Sequence, residues 1–424
     1  MSESFVIWGD VCHSLGPDKL ECVQGAYLVC EDGFCSGLFS ELPERYAGLP
    51  VEDCRGLLVL PGLTDLHVHA AQFAYRGTGM DWELLEWLER CAFPEESRFA
   101  DTDYAARAYA RFVEDMRRGP NTRACVFASA HTEATLLLMD MLEASGLACM
   151  VGRVSMDRDA PEGLRERDAQ WAAAETRHWL ELCRGRYERT QPIITPRFIP
   201  SCSDALLEAL GGIRREYGLP VQSHLSENRS EVELVRRLQP EAGFYGAAYD
   251  RYGLFGGEGC RTVMAHCVLS EAEELELIRA RGVYIAHCPA SNMNVSSGIA
   301  PVRRFLDMGL HTGLGSDVAG GTLTSIFRAM ADAIQVSKLR WRLVDGGLRA
   351  LTAPEAFYLG TAGGGELFNT GSFEPGREFD AIVLDEGRYA PERPGGLPER
   401  LERCIYLSDD RDIVRKYVRG RRLF

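Results

Sequence analysis

His67 and His69, two residues apart in PGLTDLHVHA, are the first side chains whose type and spacing suggest chemistry. In a strand, side chains at i and i+2 point to the same face, so both imidazoles can reach one point. Alone, such a pair is as compatible with two packed core histidines. The pattern recurs downstream, where short apolar runs close on His224 (VQSHLSE), His266 (RTVMAHC), His287 (VYIAHCP) and Asp317 (HTGLGSD). Nitrogen and carboxylate donors around an open position suit catalytic zinc, and the same set can take iron. A zinc ion brings the pKa of a bound water down to about 7. Glu227, three residues after His224, is placed to carry protons, and Asp317 can bind the metal or share that task. A positioned acid–base group adds about 10²–10⁴-fold. The plainer reading of Glu227 is a solvated charge at a helix start, because ENRSEVELVRRL follows.

Elements must carry these residues to one place. Eight apolar runs recur through the middle of the chain: PGLTDLHVHA, RACVFASA, ACMVGRVSM, QPIITPRFI, VQSHLSE, RTVMAHC, VYIAHCP and HTGLGSD. Segments such as YAARAYARFVEDMRR, DALLEALGGIRREY and EAEELELIRARG separate them with helical periodicity. Eight strand–helix units predict an α/β fold, a (β/α)8 TIM-like barrel over 61–368, with catalytic residues at the C-terminal ends of its strands. Runs two, three and four end at or near His131, Asp157 and Arg197–Phe198. Short strand-like runs in 1–60 (SFVIWGDV, GAYLVCEDGF, CSGLF, GLLVLPG) and 369–424 (EFDAIVLDE, CIYLSDD, RKYVRGRRLF) are expected to pair as one small β-sandwich domain.

Composition narrows the class. The formal net charge of −15 over 424 residues argues against nucleic acid and anionic membranes as partners. No apolar stretch is long enough to span a bilayer, and MSESFVIWGD lacks the basic start and long apolar run of a signal peptide. The 14 cysteines are scattered, without zinc-finger spacing, and read as reduced thiols of a cytoplasmic protein. Cys267 and Cys288 each follow a histidine, and the expectation for both is packing rather than metal binding. His13, His178 and His311 have no motif around them and read as ordinary surface or packed residues.

From PGLTDLHVHAAQ to GSFEPGREFDAIVL the chain resembles the amidohydrolase superfamily and, within it, the guanine deaminase family. The narrower stretches are LLEWLERCAFPEE, HTEATLLLMD, TPRFIPSCSDALL, QSHLSENRSEVE, IAHCPASNMNVSSG and GLGSDVAGG. The resemblance implies zinc ligands at His67, His69, His224 and Asp317, with His266 beside the metal to bind it or to orient water and substrate. It implies a proton shuttle at Glu227, aided by Asp317, and purine contacts from Gln72, Arg197 and Phe198 next to His69, His224, Glu227 and Asp317. His287 is expected to shape the site from behind, and His131 matches the family without an assigned role. Two-metal members bridge their ions with a carboxylated lysine. Lys19, Lys338 and Lys416 lie at none of the barrel strand ends, so one metal is expected.

The implied reaction is hydrolysis of guanine to xanthine and ammonia, in a homodimer. Arg197 would face O6, since a guanidinium offers donors and no acceptor. Gln72 would meet the purine edge, and Phe198 the ring face. A salt-bridged structural role is the plainer reading of Arg197. Rival readings are a deaminase of 8-oxoguanine, a pterin or a nucleoside, a triazine hydrolase on the same site, and, remotely, a metal-free scaffold. AAQFAYRG after the histidine pair departs from the more familiar members and leaves the fine shape of the pocket open.

Overall fold

Apolar runs bounded by Gly, Pro and Asp form the strands of this protein, and the segments of helical period between them form helices. The computed structural model describes residues 4–393 and 395–424; residues 1–3, part of the N-terminal stretch considered for a leader, lie outside these. In chain order the strands are β1 (Phe5–Gly16), β2 (Lys19–Glu31), β3 (Phe34–Phe39), β4 (Val51–Pro61), β5 (Leu63–His69), β6 (Asn121–Phe127), β7 (Ala148–Gly152), β8 (Val154–Ser155) and β9 (Gln191–Pro192). They continue as β10 (Thr195–Pro196), β11 (Val221–Leu225), β12 (Thr262–His266), β13 (Tyr284–His287), β14 (Thr312–Leu314), β15 (Ala381–Leu384), β16 (Ile413–Val418) and β17 (Arg421–Arg422). Between β5 and β6 lie the helices α1 (Leu84–Trp87), α2 (Phe93–Ser97) and α3 (Thr102–Arg118). The expected helices over DALLEALGGIRREY and EAEELELIRARG are present as Asp204–Tyr217 and Ala272–Arg281.

Each of the eight central runs supplies a strand, and the strands pair in parallel. One sheet has the order β5-β6-β7-β9 and a second β11-β12-β13-β14. The run QPIITPRFI is interrupted, because Pro192 and Pro196 bring no N–H to the ladder; its second piece, β10, pairs with β8. Backbone hydrogen bonds join the edges of the two sheets. Ile194 donates to Pro220 O (2.9 Å) and accepts from Gln222 N (2.9 Å), while Asp317 N donates to His67 O (2.8 Å) and His69 N to Val318 O (3.1 Å).

The terminal segments meet in one seven-stranded sheet, ordered β17-β16-β15-β4-β1-β2-β3. Here β1 runs parallel to β4 and β15 antiparallel to it, so the C-terminal strands join the N-terminal ones along the β15–β4 seam of one sheet. Ile7, Val11, Leu28, Val59, Phe379, Val383 and Tyr417 form its buried cluster. One expected strand is corrected: CIYL of CIYLSDD ends the helix Leu397–Leu407. Leu401, Cys404 and Ile405 are buried at helical spacing that begins upstream of the fragment, and this 3.6-residue period overrides its local strand-like composition.

Two buried cations tie the terminal sheet to the central strands. Arg123 on β6 makes a bidentate pair with Asp380 (2.6 and 2.7 Å) and a further contact to Glu378 (2.8 Å). Lys416 on β16 donates to the carbonyls of Met116 (2.9 Å), Arg117 (3.2 Å) and Gly119 (2.8 Å), capping the C-terminus of α3. Among the described residues, Cys22 and Cys91 are half-buried and the other cysteines are buried. Breaking the Arg123 pair leaves Asp380 as an uncompensated buried charge. Arg123→Ala is therefore expected to cost about 3–5 kcal/mol of stability in urea unfolding, and a loss below about 1 kcal/mol would show that the pair is no anchor.

Candidate active site

The period-two geometry of β5 brings His67 and His69 onto one face, and the neighbouring strand ends complete a cluster around them. His69 Nε2 lies 3.2 Å from His67 Nε2 and 3.2 Å from His224 Nε2. Asp317 Oδ1 is 3.2 Å from His67 Nε2 and 3.5 Å from His69 Nε2. On the other side of Asp317, His266 Nε2 lies 3.7 Å from Oδ2, and it is 3.3 Å from Glu227 Oε2. His224 Nδ1 donates to the Arg197 carbonyl (2.7 Å), so its Nε2 carries the free lone pair. His266 is held in the same way, with Nδ1 2.9 Å from Asn292 Oδ1.

Three Nε2 atoms at these separations cannot all satisfy one another as hydrogen-bond partners. They do match donors around a small cation: two nitrogens about 2.0–2.1 Å from a tetrahedral zinc lie roughly 3.3 Å apart. Burial pushes the His69 and His224 imidazoles well below their usual pKa, with help from the neighbouring His67, and brings His266 down to about 4. Neutral imidazole is the form that ligates a metal. Burial acts on Asp317 in the opposite sense, but the rings of His67, His266 and His69 outweigh it and hold this carboxylate below its ordinary range. Glu227 is balanced the other way, although His266 lies beside it and Ser297 donates to it. Burial, then Glu231 and Asp317, raise its carboxyl well above the usual range.

The backbone that presents these groups is strained. Ser226, His266, Cys267 and Asp317 have φ of 48°, 78°, 50° and 46°, in the left-handed region that side chains other than glycine rarely occupy. Such residues cost of order 1–3 kcal/mol each and persist where the surroundings over-determine them. Here Asp65, on the same face of β5 as His67, accepts from His67 N (3.1 Å), Ser316 N (2.9 Å) and Ser316 Oγ (2.5 Å), bracing the approach to Asp317. Glu231 accepts from the backbone of Glu227 (3.0 Å) and from the Tyr245 hydroxyl (2.7 Å), fixing the loop that carries Glu227.

One pocket is lined by His69, His224, Glu227, His266 and Asp317 together with Gln72, Arg197, Phe198, Leu84, Trp87, Leu88 and Ser291. The three residues expected to contact a ligand therefore share a wall with the imidazole cluster. A larger groove of about 850 Å³ beside β16 and β17 has no histidine among its lining residues. Arg197 is at once a pocket residue and a salt-bridged one, paired with buried Glu96. Phe127, at the end of β6, packs its ring against His67, His69 and His224 at 4.6–5.0 Å between centroids.

Glu96, Phe127, Trp87 and Asp65 carried no role in the sequence reading. Asp65 had a signal, two residues before His67 on the same strand face; the other three become neighbours of the site only through the tertiary fold. Of the remaining histidines, His287 is buried beside His266, and burial brings it down to about 3. His131 is outside the cluster and precedes the helix Thr132–Ser145. His13 pairs with Glu21 (2.9 Å) in the terminal sheet, His311 with Glu366 (3.0 Å), and His178 is exposed. Cys267 and Cys288 are packed, and Lys416 is engaged at the end of α3.

Known proteins resemble this chain in sequence and fold. The model of the amidohydrolase family matches residues 58–423. The chain is 37% identical over 447 aligned positions to guanine deaminase of Dictyostelium discoideum, covering 98% of this chain and 97% of that one. It is 32% identical over 386 positions to guanine deaminase of Escherichia coli (strain K12), covering 88% and 84%. A crystal structure of guanine deaminase from C. acetobutylicum with guanine bound in its active site superposes with a TM-score of 0.96 at 42% identity, over 100% of both chains. A cluster of imidazoles and one aspartate on parallel strand ends, and sequence likeness along nearly the whole chain, lead to one conclusion: the protein belongs to the amidohydrolase family, within its guanine deaminase branch.

Proposed function

We propose that this protein hydrolyses guanine to xanthine and ammonia. The observation that carries the reading is the single pocket in which Gln72, Arg197 and Phe198 face His69, His224, Glu227 and Asp317. Guanine occupies the active site of the C. acetobutylicum relative. His67, His69, His224 and Asp317 would hold one zinc ion; the donor chemistry would also accept iron, and His266 stands beside the ion through Asp317. When bound, the ion supplies Lewis acidity that makes water nucleophilic at neutral pH.

The chain's own residues do the rest. Phe198 offers its ring to the purine, Arg197 donates to O6 and Gln72 meets the purine edge. Glu227 carries a proton at its carboxyl and delivers it to N3, which makes C2 electrophilic. The water that adds at C2 gives up a proton to the Glu227 carboxylate, which, with Asp317, passes it to the departing amine. His266 orients the water from its seat between Glu227 and Asp317. His287 shapes the site from behind. A related substrate such as 8-oxoguanine, a pterin or a nucleoside would use the same metal centre, whereas a metal-free scaffold would have no use for converging ligands.

The same reading extends to architecture. The seam hydrogen bonds at Ile194 and at Asp317–Val318 support closure of the central strands into a (β/α)8 barrel over 61–368. We read segments 1–60 and 369–424 as a small β-sandwich in which the one seven-stranded sheet curls over its own buried cluster. We read the enzyme as a cytoplasmic homodimer acting on a small purine, without nucleic acid or membrane partners; among the described residues no helix is long and apolar enough to cross a membrane.

Three outcomes test this. Ammonia release from guanine should exceed that from adenine by roughly 10⁴–10⁵-fold, because adenine places an amino donor where Arg197 expects an acceptor; comparable rates would sink that role for Arg197. Glu227→Ala should lower kcat by about 10²–10⁴-fold while the metal content, read by elemental analysis, is unchanged; near-normal kcat would remove Glu227 from the proton path. Stripping the metal with a chelator should abolish turnover and added zinc should restore it, and full activity in a verified apoprotein would end the metal assignment.

A further inference from the structure

Glu96 is a buried acid, 4% exposed, behind the pocket residues Gln72 and Arg197, and no step of the proposed reaction uses it. It sits on α2, directly after the wider helical turn Leu88–Ala92. Its Oε1 accepts from Gln72 Nε2 (2.7 Å) and Arg197 Nη2 (3.0 Å), and its Oε2 accepts from Arg197 Nη1. Gln72 is pinned at its other end too, where Oε1 accepts from Ala319 N (3.1 Å). The amide therefore cannot flip without losing both bonds. The guanidinium also lies 4.9 Å from the centre of the Phe93 ring, so ring and carboxylate together set its plane. One carboxylate thus fixes two polar side chains that reach the pocket from different parts of the chain.

The donor count shows what is left for a ligand. Arginine has five N–H groups in a rigid fork, and Glu96 engages only the outer nitrogens, leaving further N–H groups unused. A lone arginine here would present an unpaired charge to a neutral purine and could swing toward the carboxylates around the metal. Paired with Glu96 it becomes an aimed, neutralised donor. Since displacement by 1 Å can cost about 10²-fold in rate, such aim matters.

We propose that Glu96 is a positioning residue for substrate selection, orienting Arg197 and Gln72 without touching the reacting atoms. The proposal rests on the reading of Arg197 as a purine contact. The test is steady-state kinetics on guanine and adenine for Glu96→Gln, Arg197→Gln and the double variant, with metal content recorded. Glu96→Gln is expected to raise KM for guanine about 10–100-fold, to lower kcat far less, and to narrow the guanine-to-adenine ratio with metal content unchanged. The double variant should lose less than the product of the two single losses, because Glu96 acts in large part through Arg197 and otherwise only through Gln72. A Glu96→Gln enzyme with unchanged KM and selectivity overturns the proposal, as does a double variant whose losses multiply. A neutral Arg197→Gln instead removes the purine contact itself, and the proposal with it. If Glu96→Gln does not fold, Glu96→Asp keeps the charge but shortens the reach; a raised KM supports positioning and an unchanged KM overturns it.

Discussion

The structure depends on keeping several unprotonated donors of different strands within reach of one point. Three imidazole nitrogens and a carboxylate oxygen form a cluster in which His69 lies 3.2–3.5 Å from the other three donors and Asp317 lies 3.2 Å from His67. Without a cation they repel as lone pairs or compete for protons, and the fold carries that cost. Parallel strands make the arrangement possible, because their C-terminal ends all open on one side. Strained backbone at Ser226, His266 and Asp317 completes it by turning the chain sharply where the side chains must face inward.

Around this centre the carboxylates divide the work by environment. Asp317 faces imidazoles and stays an anion. Glu227 faces Glu231 and Asp317 in a dry wall and holds its proton more tightly. Asp65 and Glu231 contact backbone amides instead, and so support the two segments that bear the reacting groups. Groups of one chemical kind thus acquire separate duties from what each is packed against.

Much of this was legible in the sequence. The two-residue spacing of His67 and His69, and the repeated closing of apolar runs on His224, His266 and Asp317, specify a shared centre before any coordinates are considered. The central strands and helices follow from the switch between periods of 2 and 3.6. The helix at Leu397–Leu407 was misread because CIYL alone has strand composition and its helical partners lie upstream. Glu96, Trp87 and Phe127 were silent for another reason. Nothing in local spacing indicates that α2, α1 and the end of β6 converge on the pocket, and only the tertiary fold makes them neighbours.

A terminal sheet joined from both ends of the sequence bears on how the chain is made. Chains emerge from the ribosome N-terminal end first, and early segments begin to fold before later ones exist. β4 is flanked by β1 and β15, and Arg123 finds its carboxylates only in Glu378 and Asp380. Until residues 378–418 have been synthesised, a nascent chain therefore holds an open sheet edge, a cation without its counter-charge and an uncapped α3. The contacts that tie the central strands to the terminal sheet are therefore among the last that the growing chain can make.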